Sequence, residues 1–295
     1  MLALVLLLAV TAVWGVTFVQ VKDALELYPL FAFLAVRFAI ASLALWPLAG
    51  RRLSRLSREG WRAGAVLGLL LAAGYWLQTA GLERTTVSNT GFVTGLYVVF
   101  TPLFAYVLFR VRVGAAVAAG VLLSLTGLAL LAGVGVGSPA GDALVLAGSA
   151  VYSLQIALME RYAPRHDPLA FTFAEMLAAF CGFAAVALAL GQVEVPRGWT
   201  VWGALLVTGV FASALGFVVQ TWAQRRLSAA RTALAFAMEP AWTALFGYWL
   251  AGDRLGAAGW AGAALIMAGI VVAEPAAAGA LRAVARGRPR PPPAA

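Results

Sequence analysis

The sequence predicts an all-α polytopic membrane protein with ten transmembrane helices in two inverted five-helix repeats. Three observations carry that prediction. Hydrophobic residues make up 63 % of the chain and charged residues only 11 %, whereas a water-facing surface needs far more charge. Motifs recur in order: Gly74-Tyr-Trp-Leu-Gln78-Thr79 returns as Gly216-Phe-Val-Val-Gln220-Thr221, each ahead of an apolar segment with one internal proline, Pro102 or Pro240. Basic residues alternate from one connection to the next. Five spans per copy would make the second copy enter the membrane from the opposite side, an architecture of secondary transporters.

A helix of about 20 residues rises roughly 30 Å, the thickness of the hydrocarbon core. Ten apolar segments meet that length. The first copy holds Leu2 to Val21, Pro29 to Ala49, Ala63 to Leu82, Asn89 to Phe109 and Val113 to Val134. The second holds Asp142 to Met159, Pro168 to Leu190, Trp202 to Trp222, Thr232 to Ala251 and Gly256 to Ala273. Residues 1–136 and 137–275 therefore form the two repeats. The tail at 276–295, with Arg286-Gly-Arg-Pro-Arg-Pro-Pro-Pro, is too polar and proline-rich to fold and is expected to be a disordered basic cytoplasmic end.

A net charge of +9 would suggest nucleic acid in a water-soluble protein, but placement decides otherwise. Sixteen arginines fall in one set of connections and the tail: Arg51, Arg52, Arg55, Arg58, Arg62, Arg110, Arg112, Arg161, Arg165, Arg225, Arg226, Arg231, Arg282, Arg286, Arg288 and Arg290. The intervening connections hold four basic residues, Lys22, Arg84, Arg197 and Arg254. The positive-inside rule makes the rich side cytoplasmic. Both termini are then cytoplasmic, in a bacterial cytoplasmic membrane, and nucleic acid is no partner. The first segment lacks the basic start of a signal peptide, and Ala12-Val-Trp14-Gly aligns with Ala150-Val-Tyr152-Ser, so it is read as a retained helix.

Polar groups inside the spans are the candidate site, because hydrocarbon penalises them unless they face a partner or a cavity. Thr90, Thr94, Tyr97 and Thr101 share one face of the fourth span, and Thr232, Glu239 and Thr243 one face of the ninth. Aligning the two prolines sets Thr101 opposite Glu239. Threonines that only bond back to their own helix remain the alternative for these stripes. Pro102 and Pro240 each remove a helical hydrogen bond and are expected to act as hinges.

Arg37, Glu175 and Glu239 are the ionisable groups well inside spans. Arg37 and Glu175 lie at equivalent places in the second and seventh helices, where a structural pair is one reading and a coupling role the other. Glu239 has no basic partner on its own helix and is the first choice for a proton-exchanging or amine-binding carboxylate; hydrogen bonds from a neighbouring Thr, Gln or Tyr are the alternative. Trp14, Tyr75, Gln78, Tyr152, Gln155 and Gln220 would add aromatic walls and amides to a cavity suited to a small organic solute. Trp46, Trp61, Trp199, Trp202 and Trp260 stand near span ends, as interfacial tryptophans do.

Gly120 and Gly127 in the fifth span and Gly262 and Gly269 in the tenth form flat stripes for close helix approach, within the scaffold or in a dimer. The chain is therefore read as a monomer or homodimer. Catalysis lacks its parts. Cys181 and His166 are the single cysteine and histidine, and no phosphate-binding glycine loop occurs, so neither metal nor cofactor is expected and the chain is not read as an enzyme.

At these residues the chain resembles the EamA-like branch of the drug/metabolite transporter superfamily. Trp14-Gly15-Val-Thr-Phe18 is similar to its first-helix signature and Arg37-Phe38 to its second-helix arginine. The run from Ser88 to Pro102 resembles its fourth helix. Glu239-Pro240, Gly252-Asp253-Arg254-Leu255 and the run from Gly262 to Gly269 resemble the end of the second copy, with Asp253 where the family usually has glutamate. The resemblance implies two inverted EamA-like five-helix repeats and secondary transport by alternating access. Its members carry amino acids, other metabolites or drugs, most often outward. The aromatic lining leans towards export of amino acids, aromatic ones included. A channel-like passive facilitator and a non-transporting sensor or partner are the competing functions.

Overall fold

The computed structural model describes residues 1–131, 138–246 and 256–273. All of its regular structure, among the described residues, is helical. Helices α1 (Leu2–Leu25), α2 (Leu30–Ala49) and α3 (Arg58–Leu82) are continuous, with a 3-10 turn at Gly50–Arg55 between the last two. The fourth span is split into α4 (Val87–Gly95) and α5 (Tyr97–Phe109), and α6 (Ala115–Leu131) follows. In the second half α7 (Pro139–Tyr162) and α8 (Pro168–Ala189) are continuous. The eighth span is α9 (Gly198–Leu206), a π-helical stretch (Val207–Leu215) and α10 (Gly216–Gln224). The ninth is α11 (Ala229–Phe236) and α12 (Glu239–Phe246), and α13 (Ala257–Ala273) is the last.

Seven described stretches are long and apolar enough to cross a membrane by themselves. Two shorter apolar helices lie at Ala115–Leu130 and Ala257–Ala273, and the ninth segment is in two pieces. Several ends differ from the sequence reading. The first helix runs on to Leu25, the third starts at Arg58, where Ser57 caps it, and the sixth extends to Tyr162. The repeat boundary at 136/137, the end of the ninth segment, Gly252-Asp253-Arg254-Leu255 and the tail lie outside the described residues.

The starts follow capping chemistry. Ser57 Oγ accepts from Gly60 N at 3.0 Å, Thr86 from Asn89 N at 3.1 Å and Ser228 from Arg231 N at 3.4 Å. Asp167 accepts from Leu169 N at 3.1 Å and Ala170 N at 3.2 Å, with Pro168 at the first position of α8. Each cap satisfies an amide that the helix leaves unpaired. Beside Asp167, His166 stacks on Phe171 with ring centroids 5.0 Å apart, and burial holds its imidazole below the usual histidine range.

The molecule is dressed for lipid. Leu43, Leu69, Leu122, Leu188, Phe211 and Val271 are exposed, while Ser149, Ser153, Thr172, Gln220 and Glu175 are buried. Such an inverted surface suits hydrocarbon solvent and not water. Trp46, Trp61, Trp199, Trp202 and Trp260 are exposed.

Helix α3 packs along α7 and α8, and α2 along α8. Helix α1 crosses the eighth span and both pieces of the ninth, and α6 lies along α13. Both glycine stripes serve that last contact. A Cβ on Gly120 would fall 2.6 Å from the Gly269 carbonyl oxygen, and one on Gly127 would fall 2.5 Å from that of Gly262. The stripes face each other within one chain, which corrects the dimer alternative for them.

Candidate functional site

The broken spans fix the geometry of the molecule's centre. In the fourth the break falls at Leu96, well ahead of Pro102, which lies inside α5. In the ninth it falls at Ala237 and Met238, and Pro240 sits in the first turn of α12, where its missing N–H costs no helical bond. The breaks are matched when counted from the caps at Thr86 and Ser228, not from the prolines. The first residues of the following pieces are Tyr97 and Glu239. They touch: Tyr97 Oη donates to Glu239 Oε2 at 3.2 Å. The proline alignment of Thr101 with Glu239 is therefore corrected, since one extra turn separates cap from proline in the first copy.

Helix α7 closes the break in the fourth span. Ser149 Oγ donates to the Thr94 carbonyl at 2.9 Å and Ser153 Oγ to the Tyr97 carbonyl at 3.4 Å. A carbonyl at the edge of a helix break needs such a partner in hydrocarbon.

Around these breaks lies a cavity with about 700 Å³ of space between atoms, open solvent at its mouth included. Nine of the ten residues expected to bind solute line it: Trp14, Tyr75, Gln78, Thr94, Tyr97, Tyr152, Gln155, Gln220 and Glu239. Thr101 does not. It is fully buried and its Oγ1 has no hydrogen-bond partner among the described residues. It shares the face of Tyr97 but lies one turn further along α5, past the end of the cavity. Arg37 joins the lining, as do Phe18, Val21, Leu71, Leu82, Ile156, Phe217 and Phe236. Thr17 and Thr79 complete it. The apolar members escaped sequence reasoning because one Leu or Phe in an apolar helix resembles the next, although Phe217 matches Tyr75 in the repeated motif.

Polar groups in the cavity wall are held by one another. Gln78 Nε2 donates to Thr94 Oγ1 at 2.9 Å, and Tyr152 Oη donates to Gln78 Oε1 at 3.0 Å. Arg37 donates from Nε to Ser213 Oγ at 2.9 Å and from Nη2 to Tyr75 Oη at 2.9 Å. Its guanidinium also lies 4.4 Å from the Tyr75 ring centroid, a cation–π distance. Trp14 Nε1 donates to the Ala212 carbonyl at 2.8 Å. Ala212 and Ser213 belong to the π-helical stretch, where the wider turn offers groups that an α-helix would spend on itself. Trp14 is wedged between Phe217 and Phe236, with centroids 5.7 Å and 4.9 Å away.

Arg37 and Glu175 do not pair. Ion pairs within 4.0 Å join Arg52 with Asp167 and Arg165 with Glu59, both at helix ends. Arg37 is taken by Tyr75 and Ser213, while Glu175 accepts from Gln155 Nε2 at 2.6 Å behind the cavity wall. Some threonines do bond back to their own helix: Thr90 to the Thr86 carbonyl, Thr232 to Ser228 and Thr243 to Glu239. Thr94 accepts from Gln78 of another helix, and Thr243 Oγ1 also donates to the Gly15 carbonyl of α1 at 3.3 Å. No cluster of three metal-ligating side chains occurs among the described residues.

Comparison with known proteins gives the same class. The profile of the EamA-like transporter family matches residues 1–133 and again residues 139–273. An uncharacterized transporter of Archaeoglobus fulgidus is 30 % identical over 265 residues, which cover 89 % of this chain and 82 % of that protein. A solved crystal structure aligns with TM-score 0.77 at 21 % identity, covering 94 % of this chain and 98 % of the other; that likeness shows the fold.

Proposed function

The chain belongs to the EamA-like transporter family, a membrane transporter of small solutes and not an enzyme, and from that premise we propose that it exports amino acids, aromatic ones included, by alternating access. One observation carries the reading: a single cavity combines a guanidinium (Arg37), a carboxyl (Glu239), amides and a ring of aromatic side chains. An amino acid presents a carboxylate, an ammonium group and a side chain, and each finds a complementary group there. Arg37 would take the carboxylate, Glu239 the ammonium, and Trp14, Tyr75, Tyr97 and Tyr152 an aromatic side chain.

Pairing of elements supports two inverted repeats. Helix α3 packs on α7 as the eighth span packs on α1, and α4 and α5 contact α7 as α11 and α12 contact α1. The cavity reaches Val21 and Leu82, near the ends of α1 and α3. With the arginine-rich connections cytoplasmic, that end is external, so the arrangement suits an outward-facing state in a bacterial cytoplasmic membrane with both termini inside. The breaks at Leu96 and at Ala237–Met238, together with Pro102 and Pro240, would be the points that flex. Glu239, facing Tyr97 and sharing the cavity with Arg37, Tyr75 and Tyr152, would exchange the coupling proton.

The test is a panel of labelled amino acids, des-amino acids and organic cations presented to the purified protein in liposomes. Phenylalanine, tyrosine or tryptophan is expected to move saturably, and Trp14→Ala and Gln78→Leu to reduce that flux at least about tenfold, the scale of losing one buried wall or hydrogen bond. Flux of no amino acid, or unchanged flux in both variants, contradicts the proposal.

A further inference from the structure

Behind the cavity wall lies a chain of side-chain amides whose direction is set at both ends. It starts at Glu175 on α8, fully buried, whose Oε1 accepts from Gln155 Nε2 at 2.6 Å. Gln155 Oε1 then accepts from Gln220 Nε2 at 3.1 Å. The same Gln220 nitrogen donates to Gln224 Oε1 at 2.9 Å, and Gln224 Nε2 donates to the Ile156 carbonyl at 2.9 Å. All four side chains are buried, and Gln155 and Gln220 also line the cavity.

An isolated glutamine amide can turn over and exchange oxygen for nitrogen. These cannot turn freely. A backbone carbonyl only accepts, so Gln224 must point its nitrogen at Ile156 and its oxygen at Gln220. Gln155 must then meet the Gln220 nitrogen with its oxygen, which leaves its own nitrogen to donate to Glu175 Oε1. Gln220 is thus flanked by two acceptors and spends both amide hydrogens on them. What it has left for the cavity is its carbonyl oxygen. Turning any one amide would set acceptor against acceptor or donor against donor in a buried place, the costly case for a polar group.

We infer that Glu175, which touches no solute, is a positioning residue that, with the Ile156 carbonyl at the far end, makes Gln220 a dedicated acceptor and so biases the cavity towards solutes bearing an amino group. The inference rests on the amino-acid reading and deepens it. It also gives Glu175 a task other than proton coupling: an acceptor of constant polarity is what the chain requires.

The experiment compares L-phenylalanine with 3-phenylpropionate, its des-amino analogue, in liposomes holding wild type, Glu175→Met or Gln224→Met. Each methionine fills a similar volume and removes one end of the chain, one acidic and one neutral. Both variants are expected to lose preference for phenylalanine by about tenfold, through KM more than maximal rate, the scale of one charge-assisted hydrogen bond. Uptake driven by a pH gradient persists in both. The inference is overturned if both folded variants keep the wild-type preference, or if Glu175→Met alone changes and does so by abolishing the response to a pH gradient. Should Glu175→Met fail to elute as a folded species, Gln224→Met carries the same expectation. A wild type with no preference for phenylalanine removes the amino-acid reading and this inference with it; a preference that survives both variants removes this inference alone.

Discussion

At the scale of single residues, the contact between Tyr97 and Glu239 joins the two halves of the chain. Each is the first residue after a helix break, and their hydrogen bond spans 3.2 Å at the cavity edge. Glu239→Gln keeps an acceptor for Tyr97 but cannot exchange a proton, so flux in this variant is expected to ignore an imposed pH gradient while exchange at equal pH continues with a raised KM, the charge facing the ammonium being lost. Full gradient-driven accumulation by Glu239→Gln would remove proton coupling from this residue. Much of this site was legible in the sequence, because a polar or aromatic side chain deep in an apolar helix carries its own signal. Thr101 was misplaced for a physical reason: the prolines are not equivalent in register, and a shift of one turn carries a side chain out of the cavity. Of the two readings open for Arg37 and Glu175, the direct pair does not form, since equivalent positions on two helices need not face each other.

At the scale of elements, breaks and close approaches do the positioning. The π-helical stretch Val207–Leu215 gives Ala212 and Ser213 to Trp14 and Arg37, and nothing in its apolar sequence distinguished it from the α-helix of the third span. Hydrophobic periodicity reports that a helix exists and not which helical ladder it adopts. The glycine stripes were legible as contact surfaces, whereas their partner was not, because small residues invite any close helix. Now that α6 and α13 are seen to meet there, Gly127→Leu is expected to destabilise the protein. Its Cβ alone would stand 2.5 Å from the Gly262 carbonyl and 2.8 Å from Ile266, and overpacking of this kind costs about 1–3 kcal/mol. A lower melting temperature of the detergent-purified variant checks this, with Leu122→Ala on the exposed face of the same helix as the neutral control; equal melting temperatures contradict the contact.

For the whole molecule, the EamA-like profile matches both halves, and the motifs matched between them carry different side chains. Trp14 answers to Tyr152, Tyr75 to Phe217 and Tyr97 to Glu239, so the proposed repeat would enclose an asymmetric cavity lined by all six. A scaffold of that kind suits a carrier that reorients about one fixed site, in which solute on the far side speeds return of the empty site. A channel-like facilitator has no such return step. Counterflow therefore tests the central claim most directly: wild-type protein in liposomes, equal pH on both sides, labelled phenylalanine outside and unlabelled phenylalanine inside or absent. The account predicts transient accumulation of label above the outside concentration only when the liposomes are preloaded. Label entering at the same rate with and without preloading, and never exceeding the outside concentration, would contradict it.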